Sequence, residues 1–233
     1  MYVTYSGFYN PSYFGRDENR YIWKEKENQN QTDSTALASV EFVFHGGTIS
    51  YVKSNLLKGM QNIYRTNSTK ALNLRMVCDG LLFLDREEDH YLIILEVKSG
   101  FKEVKNKAID QIPASYVKIK SILNDFSSYN RNDYKEFGLI VSYPYMAKPQ
   151  IDAENNFIVM ENKQIITGNV AAKYNRLLRN HQKADFLDSD FEFDKMGPVK
   201  QDLLFNKLRV RHYPVPNHCV NAVIGLDDVI ETL

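Results

Sequence analysis

Cysteine is nearly absent from this 233-residue chain, with Cys78 and Cys219 the only two, which rules out a fold stapled by several disulfides. Both read as free thiols in a reducing compartment, and a chain of this length buries enough apolar surface to fold without staples. No apolar run approaches the roughly 20 residues of a membrane span. The opening Met1-Tyr2-Val3-Thr4 has neither the basic stretch nor the apolar core of a secretory signal. A cytoplasmic protein without a membrane partner is therefore expected. Net charge is missing too: 29 Lys and Arg balance 29 Asp and Glu, which excludes coating nucleic acid through bulk positive charge but leaves a local groove open. No repeat or low-complexity linker divides the chain. A single domain over residues 1–233 is expected, with a core over about 54–145, an irregular arm over 1–35 and a C-terminal appendage over 199–233.

What the chain does have is a pair of apolar, strand-like runs, Leu74 to Asp85 and Tyr91 to Lys98, separated by the polar turn Arg86-Glu87-Glu88-Asp89-His90. They read as a β-hairpin. The five apolar residues from Tyr91 to Leu95 suit a strand buried on both faces. Asp79 lies on the first run and Glu96-Val97-Lys98 ends the second. Period 2 puts Glu96 and Lys98 on one face with Val97 on the other. If Asp85 pairs with His90, the ladder sets Asp79 opposite Glu96, about 5 Å apart between Cβ atoms. If Asp85 pairs with Tyr91, Asp79 falls opposite Val97 and needs a bulge or bend, which Gly80 could supply, to reach the same face. Two carboxylates this close require a cation or a raised pKa.

Charge is unevenly distributed. Lys98, Lys102, Lys105, Lys107, Lys118 and Lys120 face only Glu103 and Asp110, while residues 185–194 are acidic. A lysine run of this kind is ordinarily a solvated helix face; its position directly after Glu96 and Lys98 also suits phosphate contacts. Elsewhere, Val40, Phe42 and Phe44 alternate up to His45-Gly46-Gly47, with Ile49 and Tyr51 beyond, as in a Gly-Gly hairpin. Helical spacing appears over Ser54–Thr66, over Lys102–Phe126 with Pro113 as an interruption, and over Asn169–Asp185. Phe137–Tyr143 reads as a buried strand parallel to the Glu96 strand, and Asn156–Ile166 as a further hairpin. The apolar stretch Val220–Leu233 suits packing on the core or a partner. Trp23 and the N-terminal tyrosines have faces able to stack on bases, although aromatics in an arm more often pack on the domain surface. His212 and His218-Cys219 lack the second Cys-His pair of a zinc site, and the acidic turn 85–89 lacks the glycine and terminal Glu of a calcium loop.

Asp79, sixteen intervening residues, then Glu96-x-Lys98 on a strand followed by a helix resembles the PD-(D/E)xK nuclease superfamily. The resemblance covers roughly residues 54–145. It implies an α/β, restriction-endonuclease-like mixed β-sheet flanked by helices, here with N- and C-terminal extensions. Cys78 stands where the name-giving pattern has Pro, and the acid that some members carry on the preceding helix has no counterpart in Ser54–Thr66; Glu41 lies earlier, on an expected strand. Some branches also place a Gln on the following helix, a position Gln111 partly matches.

The resemblance implies that Asp79, Glu96 and the carbonyl of Val97 hold Mg²⁺, with Mn²⁺ able to substitute. Lys98 would orient or deprotonate the attacking water, Gln111 would bridge a water or phosphate oxygen, and Lys102 and Lys105 would hold flanking phosphates. The implied activity is phosphodiester hydrolysis by a DNA endonuclease of restriction or phage-defence type. Duplex cleavage would favour a homodimer. The alternative is a catalytically inactive module of the same fold that binds nucleic acid or a protein partner.

Overall fold

The computed structural model describes residues 11–25, 36–63, 74–99, 108–125, 129–144, 150–151, 157–159, 164–166, 183–186 and 207–231. Thirteen strands are described: β1 (Phe14–Asp17), β2 (Arg20–Lys24), β3 (Ser39–Val43), β4 (Thr48–Lys53), β5 (Gly80–Arg86), β6 (Asp89–Lys98), β7 (Tyr134–Ser142), β8 (Gln150–Ile151), β9 (Phe157–Val159), β10 (Gln164–Ile166), β11 (Lys183–Phe186), β12 (Leu208–Pro214) and β13 (Asn221–Gly225). The α-helices are α1 (Ser54–Gly59), continued by a 3₁₀ turn over Met60–Ile63, then α2 (Ile109–Leu123) and α3 (Leu226–Glu231). The class is α/β. Seven strands form one mixed sheet in the order β1-β4-β5-β6-β7-β12-β11, and β13-β3-β2 and β10-β9-β8 form two smaller sheets. No helix among the described residues is long and apolar enough to cross a membrane.

β4, β5 and β6 run as an antiparallel meander, and α2 then carries the chain over to β7, which lies parallel to β6. β6 is the middle strand of the seven, and its alternation divides the core in two. Leu92 and Ile94 join Leu81 and Phe83 in a cluster under α2, where Ile112, Tyr116, Ile119 and Leu123 supply the helical stripe. Tyr91, Ile93 and Leu95 join Leu82 and Leu84 on the opposite face, against Val40 and Phe42 of the β13-β3-β2 sheet and Val229 of α3. The structure is thus layered as helix, large sheet, small sheet. Close seating of α2 depends on Gly138 of β7, where a Cβ would stand 2.8 Å from Ile112 and 3.2 Å from Val210. Pro113 falls near the start of α2, so the interruption expected there becomes one continuous helix.

Several expectations are corrected. The His45-Gly46-Gly47 turn does not close a hairpin: β3 pairs with β2 and β13, whereas β4 pairs with β1 and β5. Val40, Phe42, Phe44 and Ile49 all enter the layer between the two sheets, so the chain crosses from one sheet to the other. Gly47 permits the crossing, because a Cβ there would sit 2.3 Å from the Phe44 ring and 2.7 Å from the Asp85 carbonyl. The C-terminal segment is no appendage. β12 lies inside the large sheet, parallel to β7, β13 lies parallel to β3, and α3 buries Leu226, Val229 and Ile230. Nor is the N-terminal region only an arm: β1 extends one edge of the large sheet and β2 one edge of the small sheet. Lys183–Phe186, at the end of an expected helix, is the strand β11, paired with β12. The rest of that expected helix lies outside the described residues.

The far end of the β5-β6 hairpin is fastened to the C-terminus. Arg86 pairs with Asp227 at 2.9 Å and lies over the Phe44 ring, and the His45 backbone N–H donates to the same carboxylate at 2.9 Å. Burial works to raise the Asp227 pKa, but the His45 hydrogen bonds and Arg86 outweigh it and hold the carboxyl below its ordinary value.

Candidate active site

The hairpin register decides whether a site exists. Asp85 pairs with His90 and Arg86 with Asp89, leaving Glu87-Glu88 as a two-residue tip with Glu87 at φ +50°. This is the shorter of the two turns that the sequence allows, and it runs Asp79 toward Glu96. The regular ladder ends at Gly80 opposite Leu95. Beyond it the Asp79 amide donates to the Leu95 carbonyl at 3.0 Å. The Asp79 carboxylate then accepts the Val97 N–H at 2.9 Å, taking the place of a strand carbonyl.

Lys98 lies between the two acids, its Nζ in contact with Glu96 Oε1 and 3.7 Å from Asp79 Oδ2. The three side chains are graded in depth: Asp79 is 27 % exposed, Lys98 12 % and Glu96 0 %. Apart from Lys98, no described residue donates a hydrogen bond to either Glu96 oxygen. Burial, and after it the charge on Asp79, push the Glu96 carboxyl well above the usual range against the opposing pull of Lys98.

The segment leading to Asp79 is fastened from α2. Gln111, Ser115 and Lys118 recur at i, i+4 and i+7, one stripe of the helix. Gln111 Nε2 donates to the Val77 carbonyl at 2.8 Å, Ser115 Oγ accepts the Cys78 N–H at 2.7 Å, and Lys118 Nζ donates to the Met76 carbonyl at 2.5 Å. Three successive backbone positions ahead of Asp79 are thereby held. The Lys118 amine is fully buried, and burial lowers its pKa to about 8. Cys78 is a buried free thiol that donates to the Gly80 carbonyl, with its pKa pushed up to about 12, chiefly by burial. It is a packing residue, not a nucleophile.

The structure therefore brings Asp79, Glu96, Val97 and Lys98 together and gives Gln111 a different task. Gln111 does not line the cleft beside Asp79; it supports the chain that carries Asp79. Lys102 and Lys105 lie outside the described residues. Lys118 and Lys120, expected on a solvated or phosphate-facing helix side, are both buried. Lys120 contacts Glu136 at 2.5 Å and the Tyr129 hydroxyl, and Tyr116 and Tyr129 donate to the same carboxylate at 2.7 and 2.8 Å. This is an internal ion network. Glu41 lies on β3, 3.9 Å from Arg20, and takes no part in the site.

The cleft, about 880 Å³ in volume, opens beside Asp79, Val97 and Lys98, and β2, β4 and α1 supply its remaining walls. Tyr21 reaches its floor, with its hydroxyl 3.3 Å from where a Cβ on Gly80 would lie. Burial first, then Cys78, Tyr51 and Asp79, raise the Tyr21 pKa, so it stays a neutral phenol. On β2 the sequence suggested only base stacking by Trp23 and the N-terminal tyrosines, and it assigned no role to Arg20, Lys24, Lys53 or Lys58. Its available signal was the mix of Arg20, Lys24, Tyr21 and Trp23 within five residues. Among the described residues no group of three or more His, Cys, Asp or Glu side chains gathers. No family model, curated protein or solved structure matches this chain.

Proposed function

We propose that the chain is a Mg²⁺-dependent nuclease of the PD-(D/E)xK kind that hydrolyses phosphodiester bonds in DNA, in a restriction or phage-defence setting. The observation that carries this reading is the convergence of Asp79, Glu96 and Lys98 beside an open cleft, with a fully buried Glu96 carboxylate whose one ion-pair partner among the described residues is Lys98. A buried acid beside a second acid is costly as structure alone. The β4-β5-β6 meander, the α2 crossover and parallel β7 also suit the mixed, helix-flanked sheet that the resemblance implies.

The residue set fits a hard divalent cation, because Mg²⁺ is commonly held by one or two carboxylates, with water and substrate phosphate completing its shell. Asp79 and Glu96 would hold it, with the Val97 carbonyl as the neutral ligand. When bound, such an ion polarises the phosphate and steadies the leaving oxygen. Lys98, which faces both acids, would orient the attacking water and take up its proton. Arginine could not replace it, since guanidinium does not give up its proton. The Val97 N–H fixes the Asp79 carboxylate, and the α2 stripe fixes the chain behind it.

Incubation of the protein with supercoiled plasmid DNA and Mg²⁺ or Mn²⁺ tests the proposal. Nicked or linear product that EDTA abolishes is the expected result. If neither ion yields cleavage of DNA or RNA, the reading fails. The inactive binding module, favoured by the gathering of only two carboxylates among the described residues, would then stand.

A further inference from the structure

The lining that β2, β4 and α1 add to the cleft is basic and aromatic. Lys24, Lys53 and Lys58 are exposed at the cleft and have no ion-pair partner among the described residues. Arg20 adds a fourth cation, held only loosely by Glu41 at 3.9 Å. Leaving aside Asp79 and Lys98, these four face Asp17 and Glu25 alone, a local excess of two positive charges on a chain whose formal charge is zero. Interleaved with them on β2 are Tyr21 and Trp23, half-buried residues that line the cleft and pack inward on the core; the Tyr21 ring is taken up by Phe42 and Tyr51, which leaves Trp23 as the aromatic for a ligand. β2 is an edge strand that alternates exposed Arg20, Ile22 and Lys24 with half-buried Tyr21 and Trp23, and all five line the cleft.

Cations that track a backbone together with aromatic faces that receive bases are the two components of single-strand recognition. A duplex would use only the first of these, because its bases are already stacked and lie beyond the reach of rings recessed in the cleft wall. A volume of about 880 Å³ falls in the range that encloses small ligands, room for a short stretch of unpaired strand. We propose that this cleft binds single-stranded nucleic acid, with phosphates along Lys24, Lys53 and Lys58 and an unpaired base on Trp23. The inference rests on the nuclease reading only in that both use the same cleft, and it names the form of substrate that reaches Asp79 and Lys98.

Trp23 is the only tryptophan in the chain, so emission excited selectively from tryptophan reports on it alone. The full chain in EDTA, where no cleavage proceeds, is titrated with a labelled oligothymidine of about 12 nucleotides, with a hairpin duplex of equal charge and with polyglutamate. The expected result is quenched tryptophan emission and at least about tenfold tighter binding of the single strand than of the duplex. Lys53→Ala with Lys58→Ala, both at exposed positions, should lower the log–log salt slope by about 1.4. Trp23→Leu should weaken single-strand binding at least about fivefold. Equal or tighter duplex binding, unquenched emission, preference for polyglutamate or an unchanged salt slope would each overturn the inference. Cleavage of duplex DNA combined with any of these leaves the nuclease reading standing. Quenched, salt-dependent single-strand binding without metal-dependent cleavage has the reverse outcome.

Discussion

The Asp79 carboxylate accepts a 2.9 Å hydrogen bond from the amide of Val97, the residue between Glu96 and Lys98. The acid on one strand is thus tied to the backbone that carries the other two groups, and any slip of the hairpin register would part Asp79 from Glu96 and Lys98. The site is a property of the pairing between β5 and β6 as much as of the residues themselves.

Glu96 should be a residue that weakens the fold for the sake of the site. Its folded pKa lies above the unfolded value, so its contribution is fully present below about pH 4.5 and is lost as pH rises through the folded value. Above that pH the raised folded pKa makes the buried carboxyl a net cost to the fold. Glu96→Gln should raise stability at pH 7 by about 1–2 kcal/mol while abolishing cleavage. Urea denaturation beside a plasmid assay checks both halves.

The α2 stripe should act through Asp79. Ser115→Ala leaves the buried Cys78 N–H without its acceptor, at a cost of about 1–3 kcal/mol. It should also slow cleavage while leaving oligonucleotide affinity in EDTA unchanged. Anisotropy and single-turnover rates separate these effects, and a matching fall in affinity would argue against a positioning role.

Lys118 gives a signed pH dependence. Its folded pKa, about 8, lies below the unfolded value of 10.5, so between these values the unfolded chain binds the extra proton. The penalty is complete below pH 8, and stability rises as pH climbs through this window, by at most about 1.4 kcal/mol per pH unit. Cys78 acts oppositely above pH 9, because its folded pKa is raised to about 12. The difference in stability between wild type and Lys118→Met, followed from pH 8 up toward 10.5, should change by up to this slope; a flat difference would contradict it.

The Lys120–Glu136 network should be costly to halve. Glu136→Gln takes the counter-charge of Glu136 away from the buried Lys120 ammonium, and a loss of about 3–5 kcal/mol is expected. Lys120→Met combined with Glu136→Leu should recover most of that loss, as a double-mutant cycle by thermal or chemical denaturation would show.

Much of this was legible in the chain because it was written as periodicity. The Tyr91–Leu95 run marked a strand buried on both faces, and β6 is the central one. The Ile112, Tyr116, Ile119 and Leu123 stripe marked α2, and Phe137–Tyr143 marked a parallel neighbour. The two candidate registers of Asp79 were also visible, but choosing between them required the two-residue tip at Glu87-Glu88. What could not be read was pairing between distant segments. Val40 and Ile49 alternate as in a hairpin, yet a residue's period says which faces are buried and not which strand lies beside it. The same limit hid β12 within the large sheet. Lys118 and Lys120 looked solvated because lysine usually is, and Met76, Glu136 and Tyr129, brought close by the fold, help make their burial tolerable.

The central claim is that Asp79, Glu96 and Lys98 form a hydrolytic site, and the most direct measurement is the Mg²⁺-supported plasmid cleavage rate of wild type beside Lys98→Ala. The expected result is cleavage by wild type and a loss of at least about 100-fold in the variant, with its unfolding midpoint showing that the fold is retained. Cleavage by a folded Lys98→Ala protein at the wild-type rate would contradict the account.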